Sequence, residues 1–338
     1  MKNIKNILIY LLLLNAYGVM AQTPLTDSHW IMNNTFSDEF NGSRKNIWSN
    51  LTGSGWGIET FRSQNIQYGS ENGRTFLRLV AEMVNGIAYT GGIETGFEKG
   101  YLGLGYGYYE IEARVLRTSG ISSGLWPAFW TIHSYKPTNS PPYWYEEIDI
   151  FEPTNCQINN KEHVVGYHRR LNDNVPTTPV TKDEGIKYNV DMSLWHKYAV
   201  EWLPGRLTFY LNDEPFFVIG GGKPTPYHQN TNLLIDLQVG GAGRCPPNIT
   251  NGILGYFDIN YFRYYKLNCS NTVITEDQGN GYNFNNYTYT VKKSCIFKNT
   301  SIPSGKSIII RATDFVELKE NFQVPLGAEL YIDVNPCE

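Results

Sequence analysis

One stretch decides the fold: Glu147-Ile148-Asp149-Ile150-Phe151-Glu152, in which three carboxylates stand among large apolar side chains. The β-branched and aromatic residues favour a strand. Because a strand alternates its faces, Glu147 and Asp149 point the same way and Glu152 should point the other way. One bulge between Asp149 and Glu152 would bring all three acids onto one surface. The alternative is an exposed acidic edge strand, which the apolar neighbours argue against.

This stretch resembles the catalytic signature of glycoside hydrolase family 16 in its bulged Glu-x-Asp-x-x-Glu form, which laminarinase-like, agarase-like and carrageenase-like members share. Leu125-Trp126-Pro127-Ala128-Phe129-Trp130 resembles the family's Trp-Pro-Ala-x-Trp segment, and the likeness extends over roughly residues 30–267. The resemblance implies an all-β fold, a jelly-roll β-sandwich of two antiparallel sheets with a concave substrate cleft. It also implies hydrolysis of a polysaccharide with retention of configuration.

The resemblance assigns a role to each acid of the signature. Glu147 would be the nucleophile and Glu152 the general acid and base, with their carboxyl groups about 5–5.5 Å apart as retention requires. Asp149 would form a hydrogen bond with the nucleophile. It would thereby help to set the different pKa values that the roles of Glu147 and Glu152 require.

Further residues are placed near the cleft by the same resemblance. Trp126 and Trp130 are either a cleft wall or inter-sheet core, and His168 aligns with a histidine on the neighbouring strand that points at the acids. Trp144 belongs to an aromatic, proline-rich segment, residues 133–145, expected on the cleft rim. Four arginines also fall in segments that the resemblance places near the cleft: Arg62, Arg169, Arg170 and Arg244.

Other segments alternate as half-buried strands should, and no long helical periodicity interrupts them. The predicted strands are residues 75–81 (after an Asn72-Gly73 turn), 107–115, 195–202, 207–211, 233–241 and 256–265. No cofactor is required by the resemblance. Some family members hold a structural calcium through an aspartate that matches Asp258, which makes Asp258 a candidate calcium ligand.

The first 21 residues read as a secretory signal peptide, with Lys2 and Lys5 before an apolar run that is too short to span a bilayer. We therefore expect a secreted protein, extracellular or periplasmic, that has no membrane span. A formal net charge of −4 argues against nucleic acid as a partner. The expected partner is a polysaccharide substrate, and the expected state is a monomer. Five cysteines in an oxidising compartment predict disulfides, with at least one thiol outside an intramolecular bridge.

The predicted domains are the signal peptide (1–21), a family 16-like catalytic sandwich (22–268) and a small C-terminal β-module (269–338). In the last of these, residues 304–312 and 328–333 alternate like short strands. The module resembles one found at the end of secreted bacterial proteins, for which a spacer or cell-surface role is expected.

The sequence predicts a secreted, retaining endo-glycoside hydrolase acting on a β-linked polysaccharide, with β-1,3-glucan favoured. An agarase-like or carrageenase-like galactanase is the alternative within enzymes, because the arginines would suit sulfate groups. From another class, a carbohydrate-binding sandwich without catalysis remains an alternative. The complete set of three acids argues against it.

Overall fold

The structure is a computed structural model that describes residues 30–96, 104–120, 124–135, 143–153, 162–172, 182–203, 205–220, 231–240, 246–269, 279–287 and 291–334. The predicted signal peptide lies outside these residues. So do the side chains of residues 134–135, 143–145, 162, 169–172, 182–184, 186–187, 279 and 307. Within the described ranges, no helix combines the length and the apolar character needed to cross a bilayer.

The larger of two main sheets, the outer sheet, contains eleven strands of the described residues. In chain order they are β1 (Trp30–Met32), β3 (Gly53–Ser54), β4 (Glu59–Phe61), β5 (Ile66–Glu71), β6 (Arg74–Val84), β7 (Ile87–Thr90), β9 (Gly107–Arg117), β14 (His196–Leu203), β15 (Arg206–Leu211), β16 (Glu214–Ile219) and β18 (Gly252–Leu267). Their spatial order is β16-β15-β14-β9-β18-β6-β7-β4-β3, with β1 added to β18 and β5 to β6. All pairs are antiparallel except β4 with β7.

The second sheet, the cleft sheet, carries the acids. Its strands are β2 (Ser49–Asn50), β8 (Gly92–Glu94), β10 (Leu125–Tyr135), β11 (Tyr143–Pro153), β12 (Glu162–Asn172), β13 (Lys182–Asn189) and β17 (Asn232–Val239). Their order is β13-β12-β11-β10-β17-β8-β2, antiparallel throughout. The acid strand β11 therefore lies between β10 and β12, well inside the sheet.

Local sequence explains why these strands form where they do. Asn72 and Gly73 have φ angles of 51° and 79°, the left-handed pair that a two-residue hairpin between β5 and β6 requires. In β6, Leu77, Leu79 and Ala81 are fully buried, because every second side chain points into the protein. The predicted strands over residues 75–81, 107–115, 207–211 and 256–265 lie inside observed strands, and those over 195–202 and 233–241 match observed ones to within two residues.

The core lies between the two main sheets and is rich in aromatic contacts. Phe129 of the cleft sheet meets Phe262 of the outer sheet at 6.0 Å between ring centroids, and Phe151 meets Phe257 at 5.6 Å. Burying an aromatic side chain of this size contributes about 2–3 kcal/mol to stability. The sandwich places the opposite face of the cleft sheet towards the substrate side, as a jelly roll does, and confirms the predicted fold class.

A third sheet follows the sandwich and has a different construction. Its strands β19 (Gly279–Asn280), β20 (Lys292–Lys298), β21 (Ser307–Leu318) and β22 (Glu329–Val334) pair in parallel, each with the next along the chain. Two 3-10 turns are also present in the described residues, Ser63–Asn65 in the sandwich and Phe284–Asn286 beside this sheet. We refer to residues 279–334 as the C-terminal module. The boundary at 268/269 stays a prediction.

The two cysteines among the described residues differ in their oxidation state. Cys269 is disulfide-bonded, and its partner lies outside the described residues. Cys295 lies on β20 with a fully buried, reduced thiol. The chain thus contains a thiol outside the disulfides, as its odd cysteine number requires.

The C-terminal module packs on the outer sheet, on the face turned away from the core. Arg311 of β21 is fully buried, with Nη2 3.7 Å from Glu201 Oε2 of β14 and its guanidinium carbon 5.9 Å from the centroid of the Trp30 ring. Glu201 points away from the inter-sheet core because its neighbours Val200 and Trp202 point into it. The module and the cleft therefore lie on opposite sides of the sandwich.

Candidate active site

A bulge in β11 brings the signature acids to one face. The register of β11 against β12 shifts between Asp149 and Glu152, and its register against β10 shifts at the same level. Ile150 and Phe151, although adjacent, are both buried, with 1% and 0% of their surfaces exposed. The predicted bulge is confirmed, and it frees Glu152 to join the face of Glu147 and Asp149.

Glu147, Asp149 and His168 form one tight group. One nitrogen or oxygen atom from each lies within 4.8 Å of the others. Glu147 is directly opposite His168 on β12, and His168 Nε2 lies 2.9 Å from Asp149 Oδ2. The adjacent Glu146 instead turns to the other face, where it is buried and accepts a hydrogen bond of 3.1 Å from the Tyr167 hydroxyl. His168 thus meets the acids as the sequence predicts.

Glu152 is held from the β10 side. The indole Nε1 of Trp126 donates a hydrogen bond of 2.5 Å to Glu152 Oε1. Trp126 is therefore beside the acids, on the face expected of a cleft wall.

Trp130 lies on the same face as Trp126, directly opposite Asp149. It is almost buried, packs with Ala128 and Leu234 outside the main core, and meets Trp56 edge-on at 5.2 Å. Of the two readings that the sequence leaves open for Trp130, inter-sheet core is wrong. Its ring forms part of the floor on the cleft side.

The model of a family described as Glycosyl hydrolases family 16 matches residues 60–232, just over half of the chain. The chain belongs to glycosyl hydrolases family 16. The matched segment includes β11 with its three acids and both tryptophans of β10.

Two curated relatives are each 26% identical to this family 16 chain. One is endo-1,3-1,4-beta-glycanase EglC of Rhizobium meliloti (strain 1021), aligned over 185 residues that cover 54% of this chain and 35% of the relative. The other is the beta-glucanase of Rhodothermus marinus, aligned over 241 residues that cover 63% of this chain and 77% of the relative. The chain thus spans about a third of the length of the first relative.

A solved family 16 structure supports the fold. The glycoside hydrolase family 16 endo-glucanase from Bacteroides ovatus, in complex with G4G3G-2F-DNP, superimposes with a TM-score of 0.53 at 21% identity, covering 68% of this chain and 99% of that chain. The part of the chain that it leaves uncovered is large enough to include the C-terminal module.

Two buried polar residues of β17, Asp236 and Gln238, lie beside the group of acids, and sequence reasoning missed both. Asp236 Oδ2 accepts a hydrogen bond of 2.7 Å from Trp130 Nε1, and Asp236 Oδ1 accepts one of 2.8 Å from Gln238 Nε2. The alternation of β17 was an available signal, since Ile235, Leu237 and Val239 point into the core and leave the even positions on the cleft face.

The Asp236 carboxyl is fully buried, and this desolvation raises its pKa to about 7. The hydrogen bonds from Trp130 and Gln238 lower the pKa of Asp236, whereas the carboxylates of Glu59 and Glu152 raise it further. Glu59 is itself buried at the end of β4, where Oε2 accepts the Val239 amide at 2.8 Å. A group of acidic side chains therefore lies behind the tryptophan floor.

Of the four candidate arginines, Arg62 is the one whose side chain lies among the described residues. Arg62 forms an ion pair of 2.5 Å with Glu82 of the outer sheet and lies 4.0 Å from the centroid of the Tyr89 ring. Its guanidinium group is therefore engaged by residues other than the acids, and its role in substrate binding stays a prediction. The remaining candidates have side chains outside the described residues: Trp144, Arg169, Arg170 and Arg244.

The residues around Asp258 do not fit the expected calcium ion. Arg78 grips the carboxylate in a bidentate pair, with Nε 2.6 Å from Oδ1 and Nη2 2.8 Å from Oδ2, and Arg114 Nε lies 3.0 Å from Oδ2. Asp258 is fully buried beneath these two guanidinium groups. A divalent cation would have to displace both arginines and would meet their positive charge. The prediction of Asp258 as a calcium ligand is corrected accordingly.

Proposed function

We propose that the chain is a secreted, retaining endo-glycoside hydrolase that cleaves a β-linked polysaccharide, with β-1,3-glucan as the preferred class. The observation that carries this proposal is the bulge of β11, which puts Glu147, Asp149 and Glu152 on one face of a buried sheet. Secretion rests on the signal peptide predicted over residues 1–21. Family membership supports the reaction class.

In the first step, the Glu147 carboxylate attacks the anomeric carbon while Glu152 protonates the departing glycosidic oxygen. The bond between that oxygen and the anomeric carbon breaks, and a glycosyl ester forms on Glu147. In the second step, Glu152, now a carboxylate, takes a proton from water as the water oxygen attacks the anomeric carbon. Glu147 leaves as a carboxylate, and two inversions give net retention.

The surroundings of the two glutamates differ in a way that suits these roles. Glu147 lies with Asp149 and His168, polar groups that fix the orientation of a nucleophile. Glu152 is oriented by the indole N–H of Trp126. Before cleavage a proton donor must be the neutral carboxylic acid, and the proposed role assigns that form to Glu152.

The aromatic floor supports a neutral glucan over a sulfated galactan. Trp126, Trp130 and the half-exposed Trp56 offer faces and edges on which sugar rings pack. Arg62, one of the cations that would have suited sulfate, is neutralised by Glu82. One curated relative is named a beta-glucanase and the other an endo-1,3-1,4-beta-glycanase, which adds to this preference.

The test is incubation with laminarin, mixed-linkage β-glucan, agar and carrageenan at low and moderate salt. We expect reducing ends from a glucan, an early fall in viscosity from internal cleavage, and first-formed sugars with the β configuration. Cleavage of carrageenan alone, weakening as salt rises, would instead support the galactanase alternative. Binding of glucan without any turnover would support the non-catalytic sandwich.

A further inference from the structure

Gln238 has an unusual position for a polar side chain. Only 3% of its surface is exposed, and its Nε2 group donates to Asp236 Oδ1 at 2.8 Å. Its amide oxygen Oε1 is also buried, yet it has no hydrogen-bond partner among the residues that the structure describes. A buried acceptor left unsatisfied costs about 1–3 kcal/mol, so its presence calls for a physical reason.

Asp236 determines which end of the Gln238 amide is presented. Both oxygens of the Asp236 carboxyl accept N–H donors, one from Trp130 and one from Gln238. An ionised carboxylate can only accept hydrogen bonds, so Gln238 must turn its nitrogen towards Asp236. The amide oxygen is thereby directed away from Asp236. If the amide group turned over, its oxygen would face the carboxylate oxygen and the hydrogen bond would be lost.

The location of Gln238 connects this oxygen to the site. Gln238 lies directly opposite Trp126 in the pairing of β17 with β10, and the Trp126 indole reaches Glu152. Gln238 and Trp126 also share the cleft face, since Leu125, Leu237 and Val239 point into the core. The unsatisfied oxygen is therefore beside the residue that orients the candidate acid.

We propose that a sugar unit packing against Trp126 opens a path to this buried atom, so that Gln238 Oε1 accepts a hydrogen bond from one of its hydroxyl groups, and that Asp236 is the positioning residue that keeps the oxygen directed at the sugar. The inference rests on the proposed function and adds a determinant of specificity. The ligand class is a neutral hexose unit with a free hydroxyl at this position.

Charge gives the same site a second means of discrimination. Glu59 and Glu152 are close enough to Asp236 to raise the pKa of its carboxyl group, so the surroundings of the Asp236–Gln238 pair are acidic. A sulfate ester on the recognised hydroxyl would remove the donor that Gln238 needs and would bring a negative charge towards these carboxyls. The pair should therefore reject sugars that are sulfated at that hydroxyl.

The experiment measures binding of neutral β-glucan oligosaccharides by calorimetry at pH 8, where Asp236 is ionised, in a Glu147→Ala background that prevents turnover. Gln238→Leu keeps the approximate size of the side chain and removes the acceptor, so we expect Kd to rise about tenfold, the value of one hydrogen bond. Asp236→Asn should have a similar effect. Its amide would offer a hydrogen to Gln238, which would then turn its oxygen inward and its nitrogen outward.

Asn232→Leu is the matched control. Asn232 is a buried amide on the same strand and face, but its oxygen already accepts from Thr95 Oγ1 at 3.0 Å and its nitrogen donates to Glu94 at 2.7 Å. We expect this variant to lose thermal stability and to keep its Kd. A series of monodeoxy oligosaccharides identifies the hydroxyl: one of them should bind the Gln238→Leu variant and its parent equally.

Equal affinity of the Gln238→Leu variant and its parent for the full oligosaccharide would overturn the inference alone. So would a tenfold loss in Asn232→Leu, since a general effect of destabilisation would then explain the result. Failure of the unsubstituted chain to cleave any glucan that it binds would contradict the proposed function alone. Absence of any binding by the folded chain would contradict both.

Discussion

His168 Nε2 and Asp149 Oδ2 lie 2.9 Å apart across two neighbouring strands of the cleft sheet. The contact orients the Asp149 carboxylate next to Glu147, the neighbouring acid on the same face, and one nitrogen or oxygen atom from each of the three residues lies within 4.8 Å of the others. Because β12 supplies the histidine and β11 the two acids, the pairing register itself builds this group.

Glu147→Ala is expected to reduce hydrolysis at least about 10⁴-fold, because no carboxylate then remains to form the glycosyl ester. Oligosaccharide affinity should change little. With an activated aryl glycoside, added azide should restore turnover and give a glycosyl azide of inverted configuration, detected by NMR. Near-normal turnover without azide would refute the assignment of Glu147 as nucleophile.

Glu152→Ala should slow cleavage of a natural glucan about 10²–10⁴-fold, the usual contribution of general acid catalysis. Aryl glycosides with good leaving groups need no proton and should retain much more of their rate in the first step. The measurement is kcat/KM for a series of leaving groups. Equal losses across the series would argue against Glu152 as the acid.

The substitution His163→Phe should make the free energy of unfolding less dependent on pH. Burial lowers the pKa of His163 from 6.5 to about 4, and the ring stacks on Phe151 behind the acid strand. Between these two values the unfolded chain takes up a proton that the folded chain does not. The free energy of unfolding therefore falls as pH is lowered through this window, by up to about 3 kcal/mol.

Denaturant unfolding at several values between pH 4 and pH 8 tests this expectation. The His163→Phe variant should show a shallower loss of stability below pH 6.5 than the unsubstituted chain. Parallel slopes for the two proteins would show that another group dominates.

Chelation of calcium should leave the stability of the chain unchanged, since Arg78 and Arg114 already neutralise Asp258. Asp258→Asn should cost about 3–5 kcal/mol, because two guanidinium groups then face each other without their shared partner. Thermal melts with EDTA and with added calcium chloride measure the first effect. A calcium-dependent rise in Tm would contradict the interpretation of this site.

Arg311→Met should destabilise the chain by about 3–5 kcal/mol, because Glu201 then loses the cation beside it in a buried position. The double variant with Glu201→Gln should recover part of this loss. Denaturant unfolding of the two single variants and the double variant gives the coupling energy. Strict additivity would mean that the contact does not stabilise the packing of the module on the sandwich.

Short-range patterns in the sequence predicted much of the fold. Strand alternation located β6, β9 and β18, and the mixture of acids with Ile150 and Phe151 required a bulge that the structure contains. The local signals succeeded because each depends on residues that are neighbours along the chain.

The failures all depend on contacts between distant segments. Arg62, expected near the cleft, pairs with Glu82 of a strand twenty residues away, a contact that its own segment does not specify. Asp236 and Gln238 lie beside the tryptophans of β10 because β17 pairs with β10 in this register. The sequence of β17 alone does not specify that register. The parallel pairing of the C-terminal module was also not predicted, although Gly305 and Gly327 occupy similar turns at positive φ before β21 and β22.

The buried Arg311 between the module and the outer sheet has a consequence for how the protein would work when attached to a surface. A tether connected to the module would pull on the outer sheet, through Arg311 and Glu201, and not on the strands that carry the acids. The C-terminal module and the sandwich would then move together as one rigid unit. Anchored in this way, the chain would hold its catalytic groove outward, towards polymers that arrive from solution, and away from the surface to which it is fixed.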